Sequence, residues 1–402
     1  MKILIVCPGF TESSLIAQPW RYTYEVAKIL IINGHDVSIA TDGSNKNRTE
    51  TKKIKNIKTF IVPTAGFFFK RMNPSKIKEI LRRFSFDAIY WIGYPHIGSY
   101  IEKFKDEKCK NIVHINSNIY AFKELHLSLR EYFHLSYGLY YYLNTALTKP
   151  TIRLLNQNVI GIITVPNNAI KQSLTVNGVI EEKIRVIPPR IYDKALLDSY
   201  ASLDHSSTRE ELGFKEDDFV VTYFGPANTL RGTDIILKAV NRLKSKHVQL
   251  RLLMLIRRND KVTTADDLYL ERLSAKLNLN DVVRFVPGIL STQELAKFLR
   301  VSDLVLFPFK IVFSEPLLSL EEAMAMGKPV IGTKISGISE IISDGGLTVE
   351  SGNVHELAEA IQSIMNVPTL LETLGNKAKE QAKIFGDMSA EADCINSIFG
   401  SL

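Results

Sequence analysis

Leu304–Glu350 reads LVLFPFKIVFSEPLLSLEEAMAMGKPVIGTKISGISEIISDGGLTVE. Leu304–Phe309 is a short apolar run of the kind that forms a buried parallel strand. A loop follows, and Glu315-Pro316 is predicted to open a helix, because proline suits a first helical turn. Leu317, Leu318, Leu320, Ala323, Met324 and Ala325 give that helix its apolar side, and Gly327 is placed to cap it. Pro329–Thr333 reads as a second strand, followed by the polar turn Lys334–Glu340 and Ile341-Ile342. The order strand, loop, helix, strand, loop is a βαβ unit.

Ligands of such units sit outside the carboxyl ends of the strands, here beside Phe313–Ser319 and Ile335–Glu340. A helix N-terminus attracts phosphate. Glu315, Ser319 and Glu322 are spaced to share one helical face, with Glu321 turned away by roughly 100°. A carboxylate can accept two hydrogen bonds from a vicinal diol. The parts point to a nucleotide diphosphate joined to a hydroxyl-rich group.

Pro316–Gly327 followed by Lys328-Pro329-Val330 resembles the signature of the group-1 retaining glycosyltransferases of GT-B fold. The resemblance implies that Glu322 holds the ribose hydroxyls and that Glu315 contacts the sugar being transferred. It also implies that Pro316, Leu317 and Leu318 face the sugar nucleotide. The family spacing leaves seven residues between the two glutamates, which would fall on Ser314. A loop one residue shorter keeps the carboxylate at Glu315.

The chain has 402 residues, 45% apolar and 23% charged, which suits two soluble globular domains. Cys7, Cys109 and Cys394 are scattered and show no metal-ligand spacing, so free thiols in a reducing, cytoplasmic setting are expected. No run approaches the roughly 20 apolar residues of a membrane span. The net charge of +7 is uneven. Residues 1–195 hold 28 Lys+Arg against 15 Asp+Glu, a balance of +13, and the remainder carries −6. No basic helix or aromatic-stacking module supports nucleic-acid binding. An anionic acceptor, or an anionic membrane surface, fits the basic half.

Lys2–Cys7 is a first buried strand, Pro8-Gly9-Phe10 a turn, Arg21–Ile32 a helix closed by Asn33-Gly34, and His35–Ala40 the next strand. This opens a Rossmann-like domain. No G-x-G-x-x-G is present, so no dinucleotide cofactor is expected. The opening resembles that of the family with only Gly9 of the usual Gly-Gly pair, and the resemblance places Gly9 and Phe10 on the acceptor side. Ser75–Phe84 carries Ile77, Ile80, Leu81 and Phe84 on one face, with Lys76, Lys78, Arg82 and Arg83 largely off it. Beside Gly66–Arg71 it reads either as a membrane-surface helix or as a helix packed on its own sheet. Asp87–Tyr90 and Asn111–Ile115 read as strands. The resemblance implies a residue near the reacting sugar after one of these strands, at His114 or at Asn116-Ser117 after it; a lone histidine is more often structural. Ala121–Leu155 reads as a helical cover over the sheet or as a groove for an apolar acceptor tail. The polar stretch 192–208 is the expected linker.

The second domain restarts at Phe219–Phe224, with Gly225–Thr229 a loop and Gly232–Lys244 a helix. This resembles the glycine-loop motif whose cations hold the diphosphate. Pro226 stands where the family has arginine, and Arg231 where it has lysine. An arginine fork suits phosphate, and Arg257 is the candidate for the second cation. Pro287-Gly288 matches the loop that contacts the base, and Ser336-Gly337 the second Gly-Gly pair. Met388–Phe399 is a final helix that, in this fold, returns to the first domain.

The expected architecture is therefore α/β of GT-B type, with two Rossmann-like domains facing a central cleft: an acceptor domain at 1–195, joined by 386–402, and a donor domain at 196–385. The expected activity is retaining transfer of a hexose from a UDP-, GDP- or ADP-sugar to a glycan, lipid-linked or small-molecule acceptor. No metal, no cofactor and no nucleic-acid partner are expected. The alternatives are a nucleotide-sugar 2-epimerase and a catalytically degenerate binding protein of the same fold. The acceptor, the base and the linkage lie beyond the sequence.

Overall fold

The computed structural model describes residues 1–16, 18–44, 48–65, 71–92, 100–116, 149–188, 194–201, 206–258, 263–312, 315, 317–386 and 388–400. Pro316, Ser314, Ser117, most of 66–71 and most of 121–155 therefore lie outside the described residues, and so do the readings made on them.

Two sheets organise the chain. The first has nine strands: β1 (Lys2–Val6), β2 (Asp36–Ser44), β3 (Glu50–Ile54), β4 (Ile57–Ala65), β5 (Arg71–Met72), β6 (Ala88–Ile92), β7 (Lys110–His114), β8 (Ile160–Val165) and β9 (Ile184–Val186). Their order is β3-β4-β2-β1-β6-β7-β8-β9, with β5 on β4. The central pairs are parallel, and β3 and β5 pair antiparallel with β4 at the edge. Central strands such as Ile3–Val6 and Ala88–Ile92 are buried along their whole length. That is why they read as unbroken apolar runs: parallel strands have helices on both faces.

The second sheet has six parallel strands: β10 (Phe219–Gly225), β11 (Leu250–Arg257), β12 (Val283–Gly288), β13 (Leu304–Phe307), β14 (Val330–Thr333) and β15 (Gly346–Val349). The order is β12-β11-β10-β13-β14-β15. The sequence steps outward on one side of β10 and then on the other. Between β10 and β13 lies the switch point where open α/β sheets bind ligands.

The helix Met388–Gly400 returns to the first domain as expected. Its Ile395, Ile398 and Phe399 are buried in the cluster that holds Ile3, Ile5, Val26 and Tyr90. Two expectations are corrected, and one reading left open is decided in favour of packing. The stretch 192–208 is not an open linker: Lys194–Ala201 and Ser206–Glu211 are helical, and Leu196 is buried in the second domain's core. In the helix Pro74–Phe84, Ile77, Ile80 and Leu81 are buried against the first sheet. That apolar face is used internally, so it is not available to insert into a membrane. The second correction is at the decisive helix. It spans Leu318–Ala325 with Leu317 as its N-cap, so Glu315 stands before it and does not share a face with Ser319 and Glu322. Among the described residues no helix is long and apolar enough to cross a membrane.

Candidate functional site

A cavity of about 330 Å³ opens at the carboxyl ends of the second sheet, within the size range of small-molecule sites. The end of β10 brings Gly225 and Pro226, β11 brings Arg257, and the loop after β12 brings Gly288–Thr292. The start of the helix Leu318–Ala325 brings Leu317, Leu318, Ser319 and Glu322. Gln18 and Arg21 close the wall from the first domain.

Arg231 is held by local chemistry. The Asn228 side chain accepts the Leu230 N–H, which tightens Thr229–Arg231 into a 3₁₀ turn. Gly232 follows with φ +74°, and a Cβ there would lie 1.9 Å from Pro308 O, so only glycine lets the turn pass the β13 loop. The Lys310 N–H donates to Leu230 O at 2.8 Å, and Lys310 Nζ pairs with Asp234 at 3.0 Å in a buried site. The Arg231 guanidinium lies 4.8 Å from the centre of the Phe309 ring, a cation–π contact.

Arg257 sits at the end of the neighbouring strand. Burial, and then the charge of Arg231 beside it, push its pKa down from the ordinary value; Tyr223 and Glu322 pull it back up. The Tyr223 hydroxyl donates to Pro226 O at 2.7 Å, and burial pushes its pKa up to about 12. Two arginines repel each other here with one carboxylate, Glu322, among the described lining residues. An anion brought between them is favoured, and a low-dielectric wall strengthens the effect.

The other candidates fall elsewhere. Glu315 is almost fully buried and does not line the cavity. Its N–H donates to Asn116 O at 2.7 Å, and its Oε1 accepts the Gly337 N–H at 3.1 Å. Those two bonds draw it out of the helix. Burial raises its pKa, against the lowering effect of the nearby Ser336 hydroxyl and the Gly337 N–H. Oε2 and Ser336 Oγ are both buried without a well-formed hydrogen bond, so burial dominates. Gly337 itself packs on the first domain: a Cβ would lie 2.2 Å from Asn167 Nδ2. Pro287 is on β12 and points to a separate small recess beside Arg258 and Asp267, as strand alternation requires when Gly288 faces the main cavity.

His114 lies inside the first domain, stacked 4.4 Å from Tyr22 with Nδ1 3.0 Å from Thr164 Oγ1. Burial pushes its pKa down to about 3, so it is neutral at pH 7 and its Nε2 has no hydrogen-bond partner. Gly9 and Phe10 fold onto their own sheet. Gly9 N–H donates to the Asp42 carboxylate at 2.6 Å, Phe10 N–H donates to Thr41 Oγ1 at 2.9 Å, and the Phe10 side chain is fully buried. The first domain reaches the cavity through Gln18 and Arg21, which the sequence reading passed over. A signal was present. Arg21 is the second residue of the helix Trp20–Ile32, whose first turn has no acidic residue. A cation at a helix N-terminus opposes the macrodipole, so the helix itself does not favour its place there. Among the described residues no group of three His, Cys, Asp or Glu side chains is placed to hold a metal ion.

Comparison with known proteins follows this geometry. Residues 204–381 match the family Glycosyl transferases group 1, and residues 20–192 match Glycosyltransferase Family 4. A D-inositol 3-phosphate glycosyltransferase of Paenarthrobacter aurescens is 29% identical over 219 residues, which are 54% of this chain and 51% of that protein. The chain thus spans about half the length of the curated relatives it matches. Sucrose-phosphate synthase of Thermosynechococcus elongatus superposes with a TM-score of 0.73 at 18% identity, covering 100% of this chain and 98% of that one. HepE of Anabaena, in complex with UDP-glucose, superposes with a TM-score of 0.73 at 16% identity over 100% of both chains.

Proposed function

We propose that the chain, whose residues 204–381 match Glycosyl transferases group 1 and residues 20–192 Glycosyltransferase Family 4, is a group-1 glycosyltransferase of GT-B fold that transfers a hexose, with retention of configuration, from a nucleotide diphosphate sugar. The observation that carries this is the clustering of Arg231, Arg257 and Glu322 on one wall of the cavity. Arg231 and Arg257 grip the diphosphate, and Glu322 accepts the ribose hydroxyls. The apolar Ile289, Leu290 and Leu295 form the adjoining surface for the base.

The acceptor oxygen bonds to the anomeric carbon while the bond from that carbon to the diphosphate oxygen breaks. The proton of the acceptor hydroxyl leaves with the diphosphate. The two arginines stabilise charge as it develops on the leaving group, so they act more strongly in the transition state than in the ground state. Inversion requires a base on the wall opposite the leaving group. The one carboxylate of the described lining, Glu322, stands on the same wall as the arginines, which supports retention. An epimerase needs acid and base groups in the cleft; the described lining holds one carboxylate and no histidine, which disfavours that reading. Transfer here needs no metal, because the arginines supply the countercharge. The complex of HepE with UDP-glucose and the D-inositol 3-phosphate glycosyltransferases among the relatives support a UDP-sugar and a polyol phosphate as the first pair to try.

A thermal-shift panel of UDP, GDP and ADP, run with chelator, tests the donor side. One diphosphate is expected to raise the melting temperature well above the other two, as linkage requires of a ligand that binds only the folded state. Equal or absent shifts from all three would sink the proposal.

A further inference from the structure

Lys310 is a buried charge with no task in the donor scheme. It does not line the cavity, and its side chain and that of its partner Asp234 are both buried. A buried ion pair is weak evidence of a stabilising role, since apolar residues of the same volume fill such a site as well. Asp234 does not depend on Lys310 either. Its carboxylate lies in the first turn of the helix Thr233–Leu243, where the helix field favours an anion. Lys238, one turn on, donates to its Oδ2 at 2.7 Å. Lys310 takes the other oxygen, Oδ1, at 3.0 Å.

Asp234 is three residues from Arg231 and is the carboxylate nearest to it along the chain. The loop 308–311 wraps around both. The N–H groups of Lys310 and Ile311 donate to Leu230 O at 2.8 and 3.2 Å, and the Phe309 ring lies under the Arg231 guanidinium. Residue 310 thus holds both flanks of Arg231, position 230 by its backbone and position 234 by its side chain. A carboxylate so close is the rival of a phosphate, because both accept the same fork of guanidinium donors. Yet among the described residues Arg231 forms no ion pair. The two oxygens of Asp234 are taken by two lysines instead. Oδ1 is buried without a well-aligned hydrogen bond, so the charge of Lys310 is what meets it.

We propose that Lys310 is a positioning residue: by engaging Asp234 it keeps that carboxylate from Arg231 and leaves the guanidinium, on its Phe309 platform, to the donor diphosphate. The proposal rests on the donor reading above for the role of Arg231. Removing Lys310 bares Oδ1 in a low-dielectric setting, where an unpaired carboxylate draws the nearest cation strongly. Arg231 then turns to Asp234, and the diphosphate loses one of its two grips.

The test is the UDP affinity of the full chain, measured by calorimetry with chelator present, with a melting temperature recorded for every variant. Lys310→Met is expected to weaken UDP binding about tenfold, as loss of Arg231 itself does. Adding Asp234→Asn to it should restore most of that affinity, since the competing charge is gone. In the Arg231→Gln background Lys310→Met should have no further effect, because both act on one contact. A lysine that serves stability alone gives a different pattern: wild-type UDP affinity in a folded Lys310→Met, or a double variant that binds no tighter than the single one. Either result overturns the proposal, as does a loss that adds in full to that of Arg231→Gln. Should Lys310→Met fail to fold, Lys310→Gln still offers Asp234 a hydrogen bond and carries the same comparison with a smaller expected loss, about threefold. Inorganic pyrophosphate is titrated alongside. If wild type binds pyrophosphate but not UDP, the donor reading fails, and the same order of variants with pyrophosphate upholds the role of Lys310. If wild type binds neither, both readings fall.

Discussion

The two walls of the cavity come from domains of the same architecture, yet they are built differently. The second domain's wall is made by strand ends and the turns directly after them: Gly225 and Arg231 after β10, Arg257 on β11, Gly288 on β12, and Glu322 on the first helix after β13. Arg257 lies on a strand and Arg231 a few residues after one, whereas Glu322 is carried on a helix that follows a long loop after β13. The first domain's wall is made by Gln18, just before the helix Trp20–Ile32, and Arg21, in its first turn, after a long loop that follows β1. Its nearer turn, Gly9-Phe10, is bonded back to Asp42 and Thr41 and gives the cavity nothing. The two arginines of the second domain's wall are set by local sequence; Glu322 and the first domain's wall are set by how a longer segment folds over. The domain with rigid turns is suited to hold a ligand of fixed chemistry, and the other to carry the part that varies.

Three substitutions test this contrast, from the largest effect to the smallest. Glu322→Ala is expected to reduce kcat/KM by about 100-fold or more and to weaken nucleotide diphosphate binding, since losing a charged hydrogen-bond partner costs about 1.5–3 kcal/mol for each bond. The fold should survive, because Glu322 faces the cavity. Unchanged kinetics with a folded variant would remove the ribose from this wall. Next, Arg231→Gln and Arg257→Gln should each weaken UDP binding about tenfold. The double variant should lose less than the product of the two, because removing one arginine relieves the repulsion on the other. Strict additivity would show that the two do not share one diphosphate.

The smallest effect is expected at Glu315, which is packed between the walls. Burial raises its folded pKa above the ordinary 4.5. The folded chain holds a proton that the unfolded chain releases, so this contribution to stability is complete below about pH 4.5 and is lost as pH rises through the folded value. Glu315→Gln keeps an oxygen for the Gly337 N–H and removes the titration. Its melting temperature should match wild type at low pH and exceed it increasingly as pH rises; a gap independent of pH would contradict the buried carboxyl. Turnover adds a second measurement. A large loss of kcat in this stable variant would return Glu315 to the transferred sugar, through a movement that frees it from Gly337.

Much of the second domain was legible. Phe219–Phe224, Gly232–Lys244 and Pro329–Thr333 follow from apolar runs punctuated by glycine, and the structure has strands or helices at each. Arg231 and Arg257 could be singled out because they lie on or just after a strand end, and Glu322 because Pro316–Gly327 resembles the family signature. Glu315 could not be placed, because its position depends on two bonds to distant backbone groups, Asn116 O and Gly337 N–H. His114 was open for the same reason. At the end of a strand it could face solvent or core, and only the packing of Tyr22 and the Thr164 hydroxyl settles that it faces core.

What the sequence by itself determined is the succession of βαβ units, the family, and the residues held in turns immediately after a strand, since all of these follow from periodicity and contacts a few residues apart. What only the tertiary structure decided is which wall each remaining side chain joins. Arg21 enters the cavity, while Phe10, His114 and Glu315 turn away from it. Those directions depend on burial and on hydrogen bonds between segments tens to hundreds of residues apart, and no local pattern encodes which of two buried surroundings a side chain will meet.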